Sequence, residues 1–127
     1  MTALSSRPGA TPGLKLPRER RLRRPAQFEH VYAVGRRLGN EFFTACVQAN
    51  EAGVARLGMS IAARTLRRAV DRNRMRRLIR ESFRAHQLGL PPLDLVIGVR
   101  SGVQSADNAR LRAALEQLWR KLSSTCA

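Results

Sequence analysis

The stretch VARLGMSIAARTLRRAVDRNRMRRLIRESFRAHQLGLPPLDLVIGVR (54–100) decides the fold. Its opening alternates, with Leu57, Met59 and Ile61 on one side, and reads as a half-buried strand. Its close, LDLVIGVR (93–100), is a nearly continuous apolar run, the pattern of a strand buried on both faces. Between them, Arg67 to Arg84 holds eight arginines and two acids, and GLPP (89–92) ends the segment. On a wheel of about 100° per residue with Met75 at 0°, Met75, Leu78, Ile79, Ser82, Phe83 and His86 share an arc from about 300° to 80°. Asn73, Arg74, Arg76, Arg77, Arg80 and Arg84 fall between about 100° and 260°, interrupted by Glu81 and, in the first turn, by Val70. Arg72 lies at about 60°, beside the apolar stripe and directed along the sheet surface. The stretch predicts strand–helix–strand, with one helix face given over to arginine.

A solvated polar face is the ordinary reading of such a helix. Solvated faces mix signs at i, i+4, because each opposite-charge pair contributes a few tenths of a kcal/mol. Here Arg72–Arg76–Arg80–Arg84 contains no opposite-sign pair, and neither does Asn73–Arg77. A phosphate-binding face accounts for the pattern, with Asn73 available to a base or ribose. The composition agrees. The 127 residues make one domain, and 24 basic against nine acidic residues give +15, with a pI near 11.8. So basic a domain repels itself unless a polyanion cancels the charge. Only Lys15 and Lys121 are lysines, and arginine's planar fork suits RNA. A GC-rich genome explains the Arg/Lys ratio as well, but not the net charge.

No apolar run approaches the roughly 18 residues needed to span a bilayer, and MTALSSRPGATPGLKLP lacks the apolar core of a secretory signal. Cys46 and Cys126 fit neither a metal cluster nor a disulfide framework. These features predict a soluble, intracellular polyanion binder.

Residues 1–17 read as a disordered, Pro/Gly-rich arm, 18–122 as the domain and 123–127 as a tail. In PAQFEHVYAVG, Pro25 suits a first helical turn, Phe28, Val31 and Tyr32 share a face, and Gly35 is a stop. A turn at Gly39-Asn40 leads into a strand in which Phe43, Ala45 and Val47 alternate, and Glu51 to Gly53 form a loop. SADNARLRAALEQLWRKL (105–122) is an amphipathic helix capped by Ser105 or Asp107, with Leu111, Leu115, Leu118 and Leu122 inward. The order α-β-β-α-β-α, with an extra short strand near Arg36–Leu38, is an α+β sandwich.

Catalytic groups are hard to find. The nine acids are scattered, His30 and His86 stand alone, and Cys46 reads as a packing thiol within a strand. No Gly-rich phosphate loop is present. The sequence predicts no catalytic residue and no protein-held metal.

RLGMSIAARTLRRAVDRNRMRRLIRESFR resembles the signature of the bacterial ribonuclease P protein subunit, whose hallmark R-N-R is here Arg72-Asn73-Arg74, followed by Arg76, Arg77 and Arg80. QFEHVYAVGRRLGNEFFT resembles that family's N-terminal segment, so the likeness covers roughly residues 18–122. The resemblance implies a single-domain αβββαβα sandwich, with a left-handed βαβ crossover, like a ribosomal-protein RNA-binding domain. It implies a catalytic RNA subunit that uses Mg²⁺ to remove the 5′ leader of precursor tRNA, the protein assisting without catalysing, in the cytoplasm and with neither membrane nor DNA as partner. Arg64, Arg67, Arg68, Arg72, Asn73, Arg74, Arg76, Arg77 and Arg80 would then face the RNA subunit. Phe28, Tyr32, Cys46, Arg72 and Asn73 would bind the single-stranded leader, where an aromatic face contributes about 1–3 kcal/mol by stacking on a base. The i, i+4 spacing of Phe28 and Tyr32 equally predicts ordinary helix-to-sheet core.

Two positions depart from the family's pattern. Many members carry an aromatic where Cys46 stands, and the basic pair that commonly precedes the signature helix is here Arg64-Thr65. A structural RNA-binding protein of the ribosome and a protein-only nuclease remain as other readings, the second disfavoured by the scattered carboxylates. An apolar cleft also leaves open weak self-association without RNA.

Overall fold

The computed structural model describes residues 20–126, so the expected N-terminal arm lies outside the described residues. The order is α1 (Pro25–Val34), β1 (Arg36–Gly39), β2 (Phe43–Ala49), β3 (Arg56–Ser60), α2 (Ala69–His86), β4 (Leu93–Val99) and α3 (Asn108–Cys126), with 3-10 turns at Gln87–Gly89 and Ser101–Ser105. The four strands form one sheet in the order β1-β2-β4-β3. The apolar run at 93–99 is central. It pairs antiparallel with β2, Cys46 opposite Val96, and parallel with β3, Gly58 opposite Val96. The short strand foreseen near Arg36 is β1, an antiparallel edge on β2. Residues before α1 run along the other edge, where the Leu22 N–H donates to Leu57 O at 2.9 Å.

Alternation gives the sheet two unlike faces. Phe43, Ala45, Val47, Leu57, Leu95 and Ile97 point to the main core, which α2 and α3 close. Met75, Leu78, Ile79 and Phe83 of the predicted arc are buried, while Ser82 and His86 at its polar positions are half-buried. From α3 come Leu111, Leu115, Leu118 and Leu122, all fully buried, together with Trp119. Trp119 meets Phe83 edge-on at 5.9 Å and donates its Nε1–H to Ser82 Oγ at 2.7 Å, so its one polar atom is satisfied. Asp107 is the cap of α3, its Oδ1 accepting the Arg110 N–H at 2.9 Å, and the helix continues past Leu122 to Cys126.

The opposite face is covered only in part. There α1 packs Phe28 and Val31 against Leu22, Cys46 and Val96 in a small second cluster. Gln27 caps α1 from inside, its Oε1 accepting the N–H groups of Arg23 and Arg24 at 2.9 and 3.0 Å. Gly35 ends the helix in an extended conformation. Its missing side chain matters because a Cβ there would collide with the carbonyl oxygens of Val31 and Val47.

Two polar hubs fix the loops. Asn40 Oδ1 accepts the N–H groups of Phe42 and Phe43, both at 3.1 Å, while its Nδ2 donates to Ala114 O at 2.8 Å, tying the β1–β2 turn to α3. At the far end of the sheet, Arg56 grips Asp94 with both forks, Nε to Oδ1 at 2.7 Å and Nη2 to Oδ2 at 2.8 Å. Asn50 adds a donor to Asp94 at 2.8 Å and another to Val54 O at 3.1 Å, holding the loop that turns through Gly53 at φ 82°. Hydrogen bonding to Asp94 raises the Arg56 guanidinium above its ordinary range, against the opposing pull of burial.

Because Asp94 is buried and Arg56 half-buried, replacing the carboxylate by an amide leaves a cation without a counter-charge. Asp94→Asn is expected to cost roughly 2 kcal/mol, a fall in Tm of about 10 °C, read by thermal denaturation. A shift under about 2 °C would mean that the pair contributes only as an exposed one does.

Candidate nucleic-acid interface

Three recesses adjoin one another, the first and second sharing Arg64 and the second and third sharing Arg74. The first is a cleft of about 630 Å³ on the partly covered face of the sheet, floored by Thr44, Cys46, Val96 and Gly98 and walled by Tyr32. The floor is low because the register brings small residues into rows. Gly39, Thr44, Gly98 and Ser60 are cross-strand neighbours on this face. A Cβ on Gly98 would press into Thr44 Oγ1. Arg37, Arg64 and Arg100 complete the rim.

Arg64 also lines the second recess, about 430 Å³, with Arg67, Arg68 and Arg74 at the start of α2. The loop here is anchored by Gln104 Nε2 on Thr65 O at 2.6 Å. The third, about 530 Å³, lies between α2 and α3 and includes Asn73, Arg74 and Arg77.

The residues expected to bind RNA fall into distinct states. The guanidinium groups of Arg64, Arg67, Arg77 and Arg80 have no hydrogen bond or ion pair among the described residues. Arg68 pairs with Asp71 at 3.1 Å in an exposed i, i+3 contact that contributes little. Arg76 donates to Asn73 Oδ1 at 3.2 Å, and Arg74 is held by Asn108 Oδ1. Arg72 differs from all of these. Its Nη1 donates to Leu66 O and Arg67 O, both at 2.8 Å, so the side chain folds back and closes the turn before its own helix.

For the leader, Tyr32 and Cys46 line the cleft. Cys46 is on the cleft face of β2 but buried, its Sγ–H directed to Val31 O at 3.2 Å. Phe28 does not line the cleft. Its ring lies over Gly58, where a Cβ would stand 2.8 Å from Cζ, so it serves as the anchor of α1. Neither Arg72 nor Asn73 is among the residues that line the cleft. Arg37 and Arg100 were not among the residues read from the sequence. Arg100 continues the alternation of Val96 and Gly98, and that spacing was the available signal.

Fold and surface define a small α+β sandwich whose crossover helix carries an arginine face beside a glycine-floored cleft. A family model described as Ribonuclease P matches residues 16–123. The ribonuclease P protein component of Thioalkalivibrio sulfidiphilus is 47% identical over 111 residues, covering 87% of this chain and 92% of its own length. That of Halorhodospira halophila is 46% identical over 106 residues, 83% of this chain and 87% of its own. The chain belongs to the ribonuclease P protein family. Solved structures agree. The Staphylococcus aureus RNase P protein superposes with a TM-score of 0.73 at 26% identity over 77% of this chain and 90% of that one. The Thermotoga maritima protein gives 0.72 at 28% identity over 80% and 96%. Membership gives the chain a part in an endoribonuclease holoenzyme of tRNA processing, with an RNA partner.

The contrast between Arg72 and Arg77 is measurable without RNA. Arg72→Ala is expected to lower stability by about 1–2 kcal/mol in urea titration, since two backbone carbonyls lose a charged donor. Arg77→Ala should stay within about 0.5 kcal/mol. Equal effects would show that the Arg72 contacts hold nothing in place.

Proposed function

We propose that this chain is the protein subunit of a ribonuclease P whose catalytic RNA removes the 5′ leader of precursor tRNA in the cytoplasm. The single observation that carries the reading is the row of guanidinium groups on α2 without counter-charge, continuous through Arg64 with the cleft. Phosphates of the RNA subunit neutralise the α2 face, and the single-stranded leader enters the cleft. Neutralisation lets RNA subunit and substrate approach with fewer Mg²⁺ ions. No helix among the described residues is long and apolar enough to cross a membrane.

Mg²⁺ fits the RNA better than this chain. Among the described residues no group of three or more His, Cys, Asp or Glu side chains is placed to hold a metal ion, and Asp94 is committed to Arg56 and Asn50. A hard cation needs several oxygen ligands, which RNA phosphates supply. The protein's work in this reading is positioning and charge neutralisation, with the proton transfers left to the RNA-held centre.

Within the cleft, Tyr32 is the aromatic that a base can reach, being 39% exposed, whereas the Phe28 ring is spent on Gly58. The decisive experiment is precursor-tRNA cleavage by a bacterial ribonuclease P RNA at low Mg²⁺, with and without the protein, beside the protein alone. The expected result is strong stimulation that requires the RNA and leaves a 5′-phosphate on the mature end. Cleavage by the protein alone, or no stimulation by the folded protein with a cognate RNA, would refute the reading.

Tyr32→Ala should weaken binding of precursor tRNA about five- to tenfold while leaving mature tRNA nearly unchanged, from the loss of one stacking contact. Equal losses for both ligands would take Tyr32 out of the leader site.

A further inference from the structure

The third recess contains residues that the arginine helix alone does not supply. Asn108 and Arg112 come from the first turns of α3 and face Asn73, Arg74 and Arg77 across the groove. Asn108 Oδ1 accepts from both Nε and Nη2 of Arg74, at 3.2 and 2.7 Å. The acceptor is a neutral amide, so the fork is oriented without being neutralised, and Nη1 stays available. The guanidinium groups of Arg77 and Arg112 have no hydrogen bond or ion pair among the described residues. Glu81 is the one acid among the lining residues. It sits one turn from Arg77 and forms no ion pair with it.

Three guanidinium groups thus converge on a groove that lacks a paired anion. Asn73 keeps its amide donors, because only its Oδ1 is engaged, by Arg76. Val70, 63% exposed, lies in the same lining and offers an apolar contact to a sugar edge. Forked cations, an amide donor and an apolar side chain are the chemistry of a phosphodiester backbone with its riboses.

We propose that the α2–α3 groove binds a backbone segment of the RNA subunit, with Arg112 a direct phosphate ligand and Asn108 a positioning residue for Arg74. This rests on the reading of α2 as the RNA-facing helix, and extends that face onto α3.

The test uses the full chain, a bacterial ribonuclease P RNA, and affinity measured as a function of salt. Arg112→Ala is expected to weaken binding about tenfold at low salt and to reduce the slope of log affinity against log salt by about 0.7–0.9. Asn108→Ala should weaken binding about threefold with the slope kept, since no charge is lost. Asn108→Asp would still hold the fork but neutralise it, and so should lower both affinity and slope. Arg120→Ala, an exposed cation of α3 outside the lining of the groove, is the charge control and should have little effect.

If Arg112→Ala matches Arg120→Ala while Arg77→Ala still flattens the slope, the groove is not a binding site and the α2 reading stands. If neither Arg77→Ala nor Arg112→Ala changes affinity or slope, the α2 reading itself falls. A rise in KM for precursor tRNA with the RNA-subunit affinity intact would give the groove to substrate, overturning the assignment to the RNA subunit.

Discussion

The parallel pairing of β3 with β4 is the constraint on which the molecule depends. Two parallel neighbours cannot be joined by a tight turn, so the chain between Ser60 and Leu93 must travel back along the sheet before pairing again. It does so as α2. A helix in that position must turn an apolar stripe to the sheet, and Met75, Leu78, Ile79 and Phe83 provide it. What remains of its circumference faces solvent at a fixed place beside the C-terminal end of β3. The arginines are thus presented by the same geometry that closes the core.

The second layer of organisation is the inequality of the sheet's faces. One face receives two long helices and the large core, and the other receives α1 and Leu22 of the segment before it. A single short helix cannot cover four strands, and the uncovered part becomes the cleft. Glycine at 39 and 98 keeps its floor low, and Gly58 lets the Phe28 ring come down onto β3. Arg64 stands where cleft and helix face meet and belongs to both. Leader site and RNA-subunit face are, in this reading, one continuous surface.

Much of this is legible in the sequence, for physical reasons. The arc of α2 and the stripe of α3 follow from helical period, and the both-face burial of β4 from its nearly continuous apolar run. The extra strand at Arg36 and the turn at Asn40 are visible from local turn chemistry. Partners distant in sequence are not. Arg56 finds Asp94 only once the parallel register is set, and Asn40 finds Ala114 only once α3 has docked. The wheel sets Arg72 apart from its neighbours, but its bonds to Leu66 and Arg67 depend on the path of the preceding loop. Phe28 and Tyr32 have equal claims by spacing. Gly58, on a strand 30 residues beyond Phe28, separates them, because it draws one ring down and leaves the other at the cleft. Asn108 and Arg112 escape a reading of single helices, since their groove exists only between two.

The modest anchorage of α1 has a dynamic consequence. The helix is held by a small cluster, while the rest of the sheet is locked by a core several times larger. Local opening free energies scale with the apolar contacts that must break, so α1 belongs to the least protected part of the fold. Opening there breaks only the contacts of the small cluster and leaves those of the large core intact. Cys46 lies beneath it with the thiol closed off, so the rate at which a small alkylating reagent reaches it reports how often α1 opens. The cleft is thus walled by the most weakly anchored helix of the fold and floored by strands that share the large core.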